Sequence, residues 1–224
     1  MVAARRRYTG DISGVSDLLL PLFPLGAVLF PGTRMPLHLF EPRYRQMLTD
    51  IRAGDQRFGM ISAVPGVAER DLPAGRIGCV AELVDVDIMP DGRANIIVIG
   101  RERFALNAFL DHEAPYHMAS VTTVADEPGG APVALAVAAD EVLSNFTRVV
   151  KAVRILNDDT DPLPVLPDSA AQIAWSIGAM IDLDAESRYR LLAERSPAAR
   201  LTQIDHVLRK ALPDLELQAA LKAK

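Results

Sequence analysis

The stretch that decides the fold is LPLFPLGAVLFPGTRMPLHLFEPRYRQMLTDI, residues 20–51. A short β-branched and aromatic run at residues 28–30 is broken by Pro31 and Gly32, because proline fixes φ and glycine accepts a positive φ. Residues 35–40 then alternate between strongly apolar and other side chains, which is typical of a strand with one buried face. The pattern predicts a strand, a tight turn and a second strand, in this order.

A helix is predicted directly after the second strand. Pro42 suits the first helical turn, where a missing N–H has no intrahelical partner to lose. The apolar side chains that follow recur at i, i+3, i+4 and i+7 and so share one helical face. They are Tyr44, Met47, Leu48 and Ile51. Because the segment must bury both a sheet face and a helix face, later elements are expected to pack around it.

Residues 57–124 contain further strand candidates that are separated by turn signals. The long candidate at 77–89 is expected to place its even-numbered apolar side chains on one face, namely Val80, Val84, Val86 and Ile88. The sequence Pro-Asp-Gly at 90–92 predicts a turn to a hairpin partner, in which Gly100 permits a bend. About seven short strands with one early helix favour a closed or partly closed barrel.

The hydrophobic period changes from 2 to 3.6 after the sequence EPGGAP at residues 127–132, the clearest linker in the chain. A helical seam with the spacing 4-3-4-3-4 follows, and it consists of Leu135, Ala139, Val142, Phe146, Val149 and Val153. About three heptads are marginal for a coiled-coil dimer, so a helix packed in a small bundle is favoured.

Three more helices are predicted from their start signals. The sequence Ser-x-x-Gln that begins at Ser169 has the pattern of a capping box. Asp184 suits an N-cap, and Ser196 before Pro197 combines an N-cap with a proline at the first helical position. The last apolar stripe is expected to end at Pro213, because proline removes a backbone donor. The second half is therefore predicted to be a four-helix unit.

These patterns divide the chain into five parts. We predict a mobile tail at 1–17, a β-rich subdomain at 18–126, a linker at 127–132, a helical subdomain at 133–213 and a tail at 214–224. Three arginines ahead of an apolar run imitate a signal peptide, but aspartates and prolines interrupt the stretch and no small-x-small cleavage site follows. A cytoplasmic protein is therefore expected.

The composition is that of a globular chain without a basic nucleic-acid surface. Half of the 224 residues are hydrophobic, and the net charge of −5 comes from interspersed acids and bases. A protein that binds a phosphate backbone needs a clustered positive face, which this distribution lacks. Cys79, the only cysteine, has apolar neighbours in a strand candidate and is expected to be a buried thiol.

Two segments resemble a known family. The sequences LPLFPLGAVLFPG and MPLHLFEPRYRQML are similar to the opening of the LON domain, the substrate-binding N-terminal region of Lon proteases, which also occurs in small stand-alone bacterial proteins. GRERF at residues 100–104 resembles the second recurring segment of that domain. The similarity covers roughly residues 18–212. It implies a PUA-like β pseudo-barrel for the N-terminal part. Together with the patterns above, this predicts an α+β fold in which the pseudo-barrel with one early helix is followed by a C-terminal four-helix unit.

The catalytic parts of a complete Lon protease are missing from these 224 residues. No G-x-x-x-x-G-K-[ST] motif occurs, and no lysine follows a glycine-rich loop. Lys151 lies in a predicted helix without an evident serine nucleophile nearby, so a Ser–Lys hydrolase is not favoured. His112 and His117 are isolated from cysteine, and the acidic run at 157–161 lacks the glycine and glutamate of an EF-hand. We therefore predict a non-enzyme with no metal and no cofactor.

Polar and aromatic residues of the two family motifs are the remaining site candidates. The candidate peptide-binding residues are Phe30, Pro31, Gly32, Glu41, Arg43, Tyr44, Arg101, Arg103 and Phe104. One interpretation is an internal clamp, in which Glu41 pairs with an arginine and Tyr44 packs into the core. The other is a peptide-contact surface, since interfaces favour aromatic and arginine anchors. Arg101 and Arg103 are two positions apart and are expected to share a strand face.

The resemblance implies a non-catalytic protein that binds exposed apolar polypeptide segments, as a substrate-recognition or adaptor module in protein quality control. Its expected partners are polypeptide clients or a separate protease or chaperone, with no nucleic acid and no membrane. One alternative is a Lon-like peptidase that acts with a separate catalytic partner. The other is a PUA-like nucleic-acid binder.

Overall fold

The fold is described from a computed structural model for residues 18–128 and 132–223. The chain forms two compact units and passes from one to the other between Ala125 and Asp126. The expected tail at 1–17 and residues 129–131 of the expected linker lie outside the described residues.

The first unit is built from strands and one early helix. The strands are β1 (Leu18–Leu25), β2 (Arg34–Leu39), β3 (Arg57–Ser62), β4 (Ile77–Ile88), β5 (Ala94–Leu110) and β6 (His117–Val124). The helix α1 (Pro42–Arg52) follows β2, and a short 3-10 turn at Glu69–Asp71 lies between β3 and β4.

Five of these strands form a closed ring. β5 pairs with β4 and β6, β6 pairs with β1, β1 pairs with β3, and β3 pairs with β4. The β1–β3 pair is parallel, whereas the other pairs are antiparallel. β2 is added to the first half of β5, from Arg34 opposite Ile99 to Leu39 opposite Ala94. The ring and the early helix confirm the predicted fold class for this half of the chain.

The opening motif crosses the ring at Gly100 of β5. A Cβ at Gly100 would collide with the carbonyl oxygen of Phe30, so this position requires glycine. The backbone N–H of Gly32 donates to the carbonyl of Gly100 at 2.8 Å. Gly32 has a φ of +77°, which glycine adopts without the penalty of a β-carbon. The turn predicted at residues 31–32 is therefore present and is fixed to the ring.

Helix α1 has the predicted start and the predicted buried face. Pro42 occupies the first turn, and Tyr44, Met47, Leu48 and Ile51 are the buried residues of the helix. In β2, Leu37 and Leu39 are buried and alternate with exposed neighbours, as the period-2 pattern predicts. Cys79 is fully buried in β4, and burial raises the pKa of its thiol to about 12. The predicted inert core thiol is confirmed.

Two strand predictions were wrong. The first strand lies at Leu18–Leu25, whereas residues 28–30 are buried without strand pairing. The earlier segment forms the strand because β3 and β6 flank it on both sides, and these partners are distant in sequence. In β4, Val80 is buried but Val84 and Ile88 are about half exposed. A register shift between Leu83 and Asp85 interrupts the alternation, as a β-bulge does.

The second unit contains four helices among its described residues. They are α2 (Pro132–Asn157), α3 (Ala170–Met180), α4 (Ala185–Ala193) and α5 (Pro197–Lys222). The seam of α2 packs mainly against α5. Ion pairs join Glu141 to Arg209 and, further along both helices, Arg148 to Glu216, so α2 and α5 run side by side in the same direction. The predicted four-helix unit is confirmed.

Two details at the helix ends differ from the prediction. Ser169 is the N-cap residue of α3, but its side chain makes no capping hydrogen bond and its backbone carbonyl accepts from Gln172 and Ile173 instead. Helix α5 continues through Pro213 to Lys222. Leu212 and Ala219 are buried on either side of the proline, and this packing offsets the backbone donor that the proline lacks.

Candidate functional site

A polar cluster joins the start of α1 to two other elements of the β-rich unit. Arg43 donates from Nε to Glu41 at 2.9 Å and from its two terminal nitrogens to Glu69 at 2.6 and 2.9 Å. His117 on β6 lies 2.8 Å from the same Glu69 carboxylate. The short 3-10 turn that carries Glu69 is thereby connected to both α1 and β6. The predicted pairing of Glu41 with an arginine is confirmed.

The charges in this cluster stabilise one another. The hydrogen bond from Arg43, and then that from His117, hold the pKa of the Glu69 carboxyl below its usual range, although burial opposes this shift. The hydrogen bond with Glu69 raises the pKa of Arg43. Both shifts favour the charged forms of Glu69 and Arg43, so the pair is suited to holding the elements together. Neither group is suited to transfer a proton near neutral pH.

Tyr44 belongs to the core beneath the cluster. Its ring centroid lies 4.2 Å from that of Phe23, and the guanidinium of Arg43 lies 4.5 Å above its ring. The side chain is 2% exposed, and burial raises the pKa of its hydroxyl. Within the part of the chain that the structure describes, this hydroxyl has no hydrogen-bond partner. Tyr44 is therefore buried, as the clamp interpretation expects.

The two arginines of the GRERF segment differ in how far they are buried. Arg101 keeps 42% of its side chain exposed and donates to Glu82 at 2.5 Å, whereas Arg103 is 2% exposed. Arg103 of β5 pairs with Cys79 of β4, and Gly100 pairs with Ala81. Two residues of β5 therefore lie opposite the single residue between Cys79 and Ala81, which is a β-bulge. This bulge breaks the period of two, so the expectation that both arginines share a face was wrong.

Most of the remaining candidate residues lie in the interior. Phe30 and Phe104 are each 1% exposed, and Pro31 forms a bridge with Gly100. The structure brings Phe30, Pro31 and Gly32 together with Gly100 at the start of GRERF. Glu41 and Arg43 belong to the polar cluster, and Tyr44 lies in the core beneath it. Their assignment to a peptide surface stays a prediction, and Arg101 is the candidate with the most accessible guanidinium.

An open apolar groove lies in the helical unit, where no candidate residue was predicted. It has a volume of about 460 Å³ and is bounded by α2, α5, the end of α3 and the connection after α2. Its apolar walls include Val149, Val150, Val153, Met180, Ile181, Val207, Ala211, Leu215, Pro162 and Pro164. Arg154, Asp159 and Asp182 are its charged lining residues. This groove is the best candidate for a binding site in the helical unit.

The sequence contains a signal for the groove on helix α5. Beside the core stripe of α5, the residues Val207, Ala211 and Leu215 form a second stripe with a spacing of four. A helix with an apolar sector wider than its packed face leaves one stripe for another partner. On α2, Val150 likewise lies next to the buried Val149 and outside the predicted seam.

A second cavity adjoins the groove at Arg154 and Asp159. It has a volume of about 630 Å³. Lys151 and Lys222 also line it. A third cavity of about 380 Å³ contains Ser187, whose hydroxyl donates to Asp184 at 2.9 Å at the start of α4. This serine is engaged in helix capping.

The described residues contain neither a group of metal ligands nor a helix that could cross a membrane. Across residues 18–128 and 132–223, no three histidine, cysteine or acidic side chains are grouped so that they could hold a metal ion. The helices described for the chain include none that combines the length and the apolar character needed to cross a bilayer.

Comparisons with known proteins agree on one family. The model of the ATP-dependent protease La (LON) substrate-binding domain matches residues 19–210. Lon protease 2 of Herpetosiphon aurantiacus is 26% identical over 220 residues, which are 97% of this chain and 27% of that protease. Lon protease of Flavobacterium johnsoniae is 31% identical over 142 residues, 61% of this chain and 16% of that protease. The chain thus spans about a quarter or less of these relatives.

Solved structures show the same fold. A Lon N-terminal domain protein from Xanthomonas campestris aligns with a TM-score of 0.58 and 25% identity over 84% of this chain and 96% of its own. The N-terminal domain of the Mycobacterium avium complex Lon protease aligns with a TM-score of 0.62 and 16% identity over 86% of this chain and 98% of its own. The chain therefore belongs to the LON substrate-binding domain family.

Proposed function

We propose that this chain is a non-catalytic module that binds exposed apolar segments of other polypeptides through the groove of its helical unit. Membership of a substrate-binding domain family supports a substrate-binding role. The observation that carries the finer proposal is the groove itself, with Val153, Val207 and Leu215 among its open apolar walls. Partner proteins would then supply any ATPase or protease activity.

The dimensions and the chemistry of the groove suit this role. Its volume of about 460 Å³ falls within the range of roughly 300–1,000 Å³ that is typical of ligand sites. Transfer of apolar side chains from water to such walls contributes about 25 cal/mol per Å² of buried surface. Apolar walls accept many sequences, because this contribution is not directional. The groove therefore fits a client class defined by apolar character and exposure.

The polar residues of the β-rich unit support a non-catalytic role. Arg43, Glu41 and Glu69 are engaged with one another, and Arg101 is paired with Glu82. A general base or nucleophile needs a group within reach of a substrate and with a suitable pKa. The two charged clusters of the recurring motifs instead join secondary structure elements.

Binding to a permanently unfolded polypeptide tests the proposal. We expect reduced, carboxymethylated α-lactalbumin to bind the full chain in a fluorescence anisotropy titration. Ala211→Glu places a charge on the wall of the groove and is expected to weaken binding by about tenfold or more, since an isolated charge is costly in an apolar site. Ala220→Glu on the same helix is the matched control, because Ala220 is exposed and is not among the lining residues.

Two results would contradict the proposal. Equal loss of affinity in both variants, with unchanged melting temperatures, would exclude the groove as the binding site. Release of peptides from casein by the purified chain in the presence of ATP would exclude a non-catalytic role.

A further inference from the structure

The apolar groove ends at a site that carries positive charge. Arg154 near the end of α2 lines both the groove and the adjoining cavity, and Lys151 lies one helical turn earlier on the same helix. Lys222 also reaches this place, but its ammonium is held by Asp158 at 2.6 Å and by the carbonyl of Leu156 at 2.8 Å. Asp159 accepts a hydrogen bond from the backbone N–H of Asp161 at 2.8 Å.

Arg154 is not neutralised in the same way. Its Nε is buried and has no hydrogen-bond partner among the described residues. Within residues 18–128 and 132–223, no carboxylate forms an ion pair with Arg154 or Lys151. The terminal nitrogens of Arg154 are the part of the guanidinium that a ligand carboxylate can bind, because Arg154 lines the groove and no carboxylate of the described residues pairs with it. The groove therefore calls for a ligand with an apolar body and an anionic end.

From this geometry we infer that the groove binds the apolar C-terminal end of a polypeptide, with the terminal carboxylate on Arg154 and near Lys151. The inference rests on the proposed function and specifies which part of a client is recognised. A guanidinium matches a carboxylate in shape and charge, and such charge-assisted hydrogen bonds are roughly twice as strong as neutral ones. A free chain end supplies both the apolar side chains and the carboxylate in one segment.

The acidic residues that line the groove restrict which polypeptide chain ends it can bind. Asp159 and Asp182 line the groove, so additional carboxylates on the ligand would meet like charge. The preferred chain ends are therefore apolar in their last residues and carry no aspartate or glutamate there.

The experiment compares one peptide with and without its terminal charge. The probe is a fluorescein-labelled peptide GSGSGSVLAL, prepared with a free C-terminal acid or as the C-terminal amide, and titrated with the full chain. For the unmodified protein we expect the acid to bind about tenfold more tightly than the amide, as loss of a hydrogen bond to a charged group predicts. Arg154→Gln is expected to bring this acid-to-amide ratio close to one, whereas Arg154→Lys is expected to retain a preference for the acid.

A structural role of Arg154 would lower the melting temperature and weaken both peptides alike, but it would not change their ratio. Arg209→Gln is the control, because Arg209 is an exposed arginine of α5 that is paired with Asp205 and lines none of the three helical-unit cavities. This variant is expected to keep the ratio of the unmodified protein.

The outcomes separate this inference from the proposed function. Equal binding of acid and amide to the unmodified protein would overturn recognition of the chain end and leave binding of apolar segments intact. Failure of both peptides and of the unfolded polypeptide to bind would overturn both proposals. Displacement of the acid peptide by dodecanoate at a lower concentration than by unlabelled peptide would assign the site to fatty acids and overturn the inference.

Discussion

The polar cluster at the start of α1 and the groove of the helical unit differ in how completely their charged groups are paired. In the cluster, Arg43 and Glu69 hold each other and also contact Glu41 and His117. In the groove, the apolar walls are open and Arg154 has a buried donor without an acceptor. The conspicuous charged motif thus stabilises the fold, while an inconspicuous apolar surface offers room for a ligand.

The helical unit itself contains an arginine whose two terminal nitrogens are both engaged, although its Nε has no hydrogen-bond partner among the described residues. Arg200 is completely buried, donates to Asp126 at 2.6 and 2.7 Å, and also donates to the carbonyls of Glu194 and Ala171 at 3.0 Å each. Its guanidinium lies 3.9 Å from the centre of the Trp175 ring. Arg154 differs from Arg200 because its surroundings supply no such acceptors.

Each unit contains a natural probe of its own stability. Trp175 is the only tryptophan of the chain and lies in α3 of the helical unit. Cys79 is the only cysteine and is fully buried in β4 of the β-rich unit. Tryptophan fluorescence and the rate of thiol labelling therefore report on the two units separately.

The largest effect is expected for Arg200→Ala. Removal of this buried guanidinium takes two hydrogen bonds from the Asp126 carboxylate and one from each of two carbonyls. Loss of one member of a buried ion pair costs about 3–5 kcal/mol. A urea titration followed by Trp175 fluorescence measures the loss. Arg209→Ala is the control and is expected to stay within about 0.5 kcal/mol, because its side chain is 58% exposed. Similar losses in both variants would refute the distinction between engaged and exposed arginines.

A smaller effect is expected for Gly32→Val in the opening motif. The φ of +77° is unfavourable for a β-branched residue, so the variant is expected to lose about 1–3 kcal/mol of unfolding free energy. Faster labelling of Cys79 at intermediate urea concentrations would show the loss. Gly26→Val is the matched control, since a Cβ at Gly26 meets nothing within 4 Å and its φ is not positive. Equal behaviour of the two variants would remove the argument from backbone strain.

The contribution of Glu69 is expected to depend on pH. Its pKa is lowered in the folded state, so its stabilisation is present above the ordinary glutamate pKa and is lost as the pH falls through the folded value. Because the side chain is about one third exposed, we expect Glu69→Gln to cost no more than about 1 kcal/mol at pH 7. The difference from the unmodified protein should shrink from about pH 5 downward. A constant difference between pH 7 and pH 3, measured in urea titrations followed by far-UV circular dichroism, would contradict this assignment.

The smallest effect is expected for Tyr44→Phe. The hydroxyl of Tyr44 is buried without a hydrogen-bond partner in the described structure, so its removal is expected to change the unfolding free energy by less than about 0.5 kcal/mol or to raise it slightly. Tyr44→Ala also removes the ring and is expected to cost about 3–5 kcal/mol. A large loss for Tyr44→Phe would show that the hydroxyl is needed and would weaken the view of this cluster as a packed clamp.

Local patterns predicted the elements whose sequence signals lie within a few residues of one another. The face of α1, the strand β2 and the turn at Pro31 and Gly32 all followed from periodicity and turn chemistry. The starts of α4 and α5 followed from Asp184 and Ser196, which cap these helices as expected. The resemblance to the LON domain added the family, which the match over residues 19–210 shows.

Local patterns failed where distant partners decide the outcome. β1 lies at Leu18–Leu25 because β6 pairs with it, from Leu18 opposite Val121 to Leu22 opposite His117. The different exposures of Arg101 and Arg103 follow from a bulge against β4. Helix α5 passes Pro213 because its buried side chains hold it against α2.

By itself, the sequence determined the family through its recurring motifs. It also determined the fold class and the buried faces of α1 and β2, because periodicity and capping act over a few residues. Only the tertiary structure decided which apolar surface remains open. Packing of α2 against α5 buries one stripe of each helix and leaves Val153, Val207 and Leu215 in the walls of the groove. Whether a side chain is core or site depends on what its neighbours cover, and those neighbours come from distant parts of the chain.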